Sequence, residues 1–210
     1  MDDRRTFLIE MYNQMFNDIN RHIMVIWQSA GVIVGAFAIL ALVEKNIMSA
    51  DFATAILIML CVWHFAHLIE AGYWYNRNLC IISNIERQFL LASDLQDIQY
   101  YFGSHRPNNK MITHLRIQAW LGWGIFVVVL LYHFWTRVVP GFHLPWSDFD
   151  APRALPYVVA LAALWLARKL KRGRDAAYTE FISNSPGIAV DTKKVTYGPG
   201  HGFDKPTKTP

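Results

Sequence analysis

The stretch Phe52-Ala53-Thr54-Ala55-Ile56-Leu57-Ile58-Met59-Leu60-Cys61-Val62-Trp63-His64-Phe65-Ala66-His67-Leu68-Ile69 decides the class of this chain. It contains no Asp, Glu, Lys, Arg, Gly or Pro. As one helix it is long enough to cross a bilayer, which takes roughly 17–25 predominantly apolar residues. Two further runs match it, Ile23 to Val43 and Gln118 to Trp135, and a shorter one follows at Leu155 to Ala167. In lipid such a segment must satisfy its backbone internally, so each reads as a helix. The expected fold is an all-α integral membrane protein with four transmembrane helices and cytoplasmic helical extensions. The spans are drawn at 23–43, 52–72, 117–136 and 154–170, the last being short.

Composition agrees. Hydrophobic residues make up 53% of the 210 residues and charged residues 17%, below the roughly 25% charged content usual in soluble domains. The net charge of +4 does not point to nucleic acid, because the densest basic run, Arg168-Lys169-Leu170-Lys171-Arg172-Gly173-Arg174, directly follows the fourth apolar segment. There Arg168, Lys169, Lys171, Arg172 and Arg174 read as a topology signal and as contacts for lipid headgroups. Cys61 and Cys80 form neither a paired-ligand spacing nor a disulfide framework. The first apolar run starts late and is long for the core of a cleavable signal peptide, so an uncleaved anchor is expected.

Loop charge orients the spans. Arg4, Arg5 and Arg21 precede the first, Arg77, Arg87, Arg106, Lys110 and Arg116 lie between the second and third, and the basic run follows the fourth. The hairpin from Glu44 to Asp51 carries only Lys45, and the third loop balances Arg137 and Arg153 against Asp148 and Asp150. The positive-inside rule then places both termini and the middle region in the cytoplasm, in an inner membrane, with two short loops outside. The fourth span needs Pro156 in its first turn and snorkelling Arg168 and Lys169 to reach across. A re-entrant or interfacial segment, giving three spans, is the alternative.

Helical patterning continues outside the apolar runs. Leu8, Met11, Met15 and Ile19 recur at three- and four-residue spacing, so one amphipathic helix is expected to run from about Arg5 through the first span to Val43. Leu79, Ile82, Ile85, Phe89 and Leu90 carry the same spacing past the second span. Ser93 and Gln96 resemble a capping box for a short helix over 94–102, with Gly103 stopping it and a loop over 104–109. Together these predict a cytoplasmic helical region over 73–116 that needs partners for its apolar stripes. From about Tyr178 periodicity is lost, and 171–210 reads as a basic segment and irregular tail.

Four features bear on chemistry. Gly31 and Gly35 form a GxxxG pattern, which lets helix backbones approach closely, either within one subunit or between subunits. His64, His67 and Glu70 lie at steps of three on one face of the second span, with His22 and His114 at a similar depth on the first and third. Ionisable groups in a membrane usually face a bundle interior or a water-filled cavity. Three readings of this stripe stay open: metal or haem ligation, a protonation-sensitive polar core, or simple hydrogen bonding near the interface. His133 lies toward the outer side, away from that level. Trp27, Trp63, Trp74 and Trp120 mark the inner boundary and Trp135, Trp146 and Tyr157 the outer, an interfacial belt. In Tyr73-Trp74-Tyr75-Asn76-Arg77-Asn78, Arg77 is placed to pair with Glu70 or to stack on the rings. No enzyme motif, metal site or cofactor is indicated.

Arg21-His22-Ile23 leading into Trp27-Gln28-Ser29, and the run Trp74-Tyr75-Asn76-Arg77-Asn78-Leu79, carry a resemblance over roughly the first half of the chain. It resembles small bacterial inner-membrane proteins built on a helical hairpin with cytoplasmic helices, such as RipA-type octameric membrane proteins and membrane-spanning anti-phage effectors. RipA-like proteins have two spans, so the second hairpin and the tail lie outside the resemblance, and no catalytic residue carries over. The expectation is a non-enzymatic, homo-oligomeric membrane protein acting as sensor, scaffold or pore-like effector, in contact with membrane lipids. A cytosolic protein partner would engage the 73–116 region and the C-terminal tail, and no nucleic-acid partner is expected. The resemblance would place such a protein in bacterial defence. A channel or transporter with a path lined by His64 and His67 is the second reading, and a membrane enzyme or haem protein the third.

Overall fold

The computed structural model describes residues 3–89, 113–145, 148 and 150–184. Among them all regular structure is helical: α1 (Asp3–Ala36), α2 (Ile39–Glu44), α3 (Ala50–Phe89), α4 (Thr113–His133) and α5 (Leu155–Ser183). A π-helical turn at Phe134–Val138 and 3-10 turns at Val139–His143 and Ala151–Ala154 fill much of the connection between α4 and α5. The expected capping box at Ser93 and Gln96, the helix over 94–102, Gly103, the loop over 104–109, Trp146 and the tail beyond residue 184 lie outside the described residues.

Three helical stretches are long and apolar enough to cross a membrane: Asp3–Glu44, Ala50–Glu86 and His114–His143. The first differs in detail from the expected unbroken helix. α1 ends at Ala36, and Phe37 and Ala38 tighten into i→i+3 bonds onto Val34 and Gly35 before α2 resumes. Gly35 is a weak helix former at the break. α2 then closes in a Schellman motif: Ile47 N–H reaches the Leu42 carbonyl at 2.9 Å and Asn46 N–H the Val43 carbonyl at 3.0 Å. Asn46 takes the left-handed position (φ 56°) that such an ending requires. Three residues on, the Ser49 hydroxyl accepts the Phe52 N–H and so caps α3.

The chain divides into two units. One holds Met24–Ala71 and, of the remaining described residues, 113–174. Its core collects Ile26, Ile58, Cys61, Phe65 and Leu68 with Phe126 and Val129 of α4 and Ala160 of α5. α3 is the hub, with 56% of its apolar window buried against 22% and 28% for the helices led by α1 and α4. The outward faces stay apolar, as at Met24, Trp27, Val128, Leu131, Leu161 and Trp165. A surface so continuously apolar suits lipid and not water.

The fourth apolar run forms the first half of α5, where Val159, Ala163, Leu164 and Ala167 pack on that core. The helix does not stop after the basic run or at Tyr178; it continues to Ser183. No Pro occurs between Pro156 and Pro186 to end it sooner.

The other unit takes in residues 3–23, 72–89 and 175–184 of the described chain. Ile19, Leu79 and Ile82 form its buried core, with Tyr12, Met15, Phe16, Ile23 and Tyr75 around them. These are positions picked out by the helical spacing. Asn78, fully buried, donates to Asp18 at 2.7 Å. Arg77 stacks on Trp74 and faces Phe181, with its guanidinium 5.0 and 5.6 Å from the ring centres.

Candidate functional site

A charged residue at the edge of an apolar helix must find a partner or stay in water. Asp51, in the first turn of α3, is buried and finds two, which make three hydrogen bonds to it. Its Oδ1 accepts from His133 Nε2 at 2.8 Å and from Arg137 Nε at 3.0 Å, and its Oδ2 accepts from Arg137 Nη2 at 2.9 Å. His133 is the last residue of α4, and the π-helical turn that follows presents Arg137 to the same carboxylate. Such turns recur at functional positions because they re-aim side chains.

The network runs on in both directions. A carboxylate only accepts, so His133 Nε2 carries the hydrogen, and Nδ1 on the other side of the ring lies 3.1 Å from the Tyr157 hydroxyl. Asp150 lies 3.6 Å from Arg137 and accepts from Arg153 Nε at 2.9 Å. Arg153 also lies across the backbone at Gly141, where an added Cβ would come within 2.6 Å of its Nη1. Beside these groups is a pocket of about 390 Å3, lined by Tyr157, Asp148, Asp150 and Arg153 together with apolar side chains of the Val138 to Pro145 turn. Sequence reasoning sets His133 apart from the histidine stripe, counts Arg137 only as loop charge and assigns no role to Asp51.

The stripe itself is dispersed. His64 has no exposed surface. Its Nδ1 lies 2.8 Å from Ser29 Oγ on α1, and its Nε2 faces the Gln118 carbonyl on α4 at 3.4 Å. Both ring nitrogens thus meet α1 and α4 and not a second imidazole. The close approach of α4 depends on Gly122, where a Cβ would fall 2.7 Å from Phe65 and 3.2 Å from His64. His67 packs edge-on against Trp63, with ring centres 4.4 Å apart. Glu70 is held by both arms of Arg174, at 2.6 and 2.7 Å, so one of the residues expected at lipid headgroups is committed to this pair. Arg168, Lys169, Lys171 and Arg172 are exposed.

His22, in the other unit, lies 3.7 Å from Asp18 and stacks on Trp74. His114 is half-buried at the start of α4. Among the described residues no three His, Cys, Asp or Glu side chains come together as a metal site. Around Gly31 and Gly35 an added Cβ would meet nothing within 4 Å, so this small-residue face packs on no other part of the described chain.

No protein-family model matches the chain, and comparison with curated proteins and with solved structures returns no match.

Proposed function

We propose that this is a four-span inner-membrane protein, both termini cytoplasmic, that works without enzymatic chemistry as a homo-oligomeric sensor or scaffold for a cytosolic partner. The observation that carries this reading is the length of α1 and α3. At 34 and 40 residues they far exceed the roughly 20 residues that a bilayer needs. Each contributes residues both to the apolar unit and to the unit built on Ile19, Leu79 and Ile82. A change in packing around one part of such a helix is covalently continuous with the other.

Assembly through the first span is supported by the open face at Gly31 and Gly35. The fourth span is supported by the apolar exposure of Val158, Leu161 and Leu166, with Lys169 over the Trp165 ring at 5.6 Å where the basic run begins. The enclosed setting of His64 favours a polar joint between helices over a water-filled path through one subunit. A role in bacterial defence rests on the sequence resemblance alone.

Chemical crosslinking in native membranes tests the assembly. A ladder ending in one discrete multimer is expected, and a monomer band alone at every crosslinker concentration overturns the reading. Ion flux through liposomes holding the purified protein would favour the channel instead.

A further inference from the structure

The pocket lined by the Val138 to Pro145 turn and by Asp150 to Tyr157 holds about 390 Å3, within the range of about 300–1,000 Å3 usual for small-molecule sites. Its walls are mostly apolar, from Val138, Phe142, Leu144, Pro145 and Ala154. One strong donor group stands among them. Arg153 is tethered to Asp150 through Nε at 2.9 Å. Its Nη1 lies against the wall at Gly141, where an added Cβ would come within 2.6 Å of it. Among the described residues nothing accepts a hydrogen bond from Nη1 or Nη2.

A guanidinium offers N–H groups and no acceptor, so a molecule that pairs with it must accept. Its charge opposes a second cation. Asp148 and Asp150 line the same pocket and oppose an anion, since like charges repel more strongly where water is scarce. A neutral acceptor on an apolar body meets all three conditions. A carbonyl oxygen is such an acceptor, with two lone pairs in one plane for a planar fork of donors.

We propose that this pocket binds a neutral apolar molecule through a carbonyl oxygen that accepts from the Arg153 guanidinium, while the apolar walls enclose the rest. The ester carbonyl of a membrane lipid and the ketone or amide of a free small molecule share this chemistry. All the lining residues belong to one unit of the chain, so the site stands independently of the proposed assembly.

The test is photolabelling of the full chain with benzophenone, an apolar ketone that attaches on irradiation where it is bound. The chain sits in nanodiscs of ether-linked phosphatidylglycerol, which carries no carbonyl. Saturable labelling within residues 138–157, located by mass spectrometry, is expected. Fluorenone should compete with it. Fluorene, the same rings without the carbonyl, should compete about tenfold less well, the worth of one hydrogen bond to a charged donor. Fluorene-9-carboxylate should compete no better than fluorene. Arg153→Met should weaken labelling by a similar factor, and Gly141→Ala, which displaces the guanidinium without removing it, should weaken it too.

Nanodiscs of the ester-linked lipid separate the two sources. Loss of labelling there assigns the site to a lipid ester, and unchanged labelling assigns it to a free molecule. The comparison of fluorenone with fluorene is made on the wild type, so it decides even where a variant fails to fold. No saturable labelling within 138–157, equal competition by fluorenone and fluorene, tighter competition by the carboxylate than by the ketone, or unchanged affinity in a folded Arg153→Met overturns the proposal.

Discussion

Asp51 and His133 meet at 2.8 Å across 82 residues of sequence, joining the first turn of α3 to the last of α4. The pair is buried, and Arg137 and Tyr157 complete it. Within lipid the hydrophobic effect gives helices little reason to associate, so packing and interhelical hydrogen bonds carry more of the specificity. Asp51→Ala strands the His133 N–H in a buried site, and His133→Phe leaves Asp51 short of one donor. Each should cost about 2–4 kcal/mol. Thermal unfolding followed by size-exclusion chromatography checks this, and the double variant should lose less than the sum of the two.

Gly122 sets how closely α4 approaches α3 at His64 and Phe65. Gly122→Val places methyl groups where even a Cβ would lie 2.7 Å from Phe65. It should destabilise the protein by about 1–3 kcal/mol, the usual cost of overpacking. Gly124→Ala, where a Cβ meets nothing within 4 Å, is the control and should hold or slightly raise the melting temperature, because Ala is the better helix former.

Burial holds the Tyr178 phenol well above its ordinary value of 10, and the Cys80 thiol adds to the effect. The unfolded chain therefore loses this proton first, and stability contributed by the protonated phenol is lost as pH rises past 10. Between about pH 9 and about pH 11 the melting temperature of the wild type should fall more steeply than that of Tyr178→Phe. Parallel slopes for the two proteins would contradict the assignment.

The proposed topology predicts that reporter fusions after Arg174 and within residues 104–109 read cytoplasmic, and that a fusion near Ser147 reads external. An external signal after Arg174 would reduce the spans to three.

Length and composition alone make the three long spans legible, and three- and four-residue spacing marks Ile19, Leu79 and Ile82 as core positions. The network at Asp51 is less visible because its members are far apart in sequence and meet only through tertiary packing. Its one local signal is Asp51 itself, a carboxylate just inside an apolar helix, which is costly unless paired. Gly122 escapes the small-residue search because its neighbour Gly124 lies two residues away, so no GxxxG pattern forms. The last turns of α5 escape because Ala176, Ala177, Tyr178, Phe181 and Ile182 give a weak stripe beside a strongly charged run.

Assembly along the first span is proposed where an added Cβ at Gly31 or Gly35 would meet nothing within 4 Å in the described chain. An added Cβ at position 35 meets no described neighbour within 4 Å, so Gly35→Leu should block close helix approach between subunits while leaving the fold of one in place. Native mass measurement of purified protein in mild detergent reads this directly. The account predicts a single multimer for the wild type, and for Gly35→Leu a shift to smaller species with an unchanged helical circular-dichroism spectrum. A wild-type protein that is monodisperse and monomeric would contradict it.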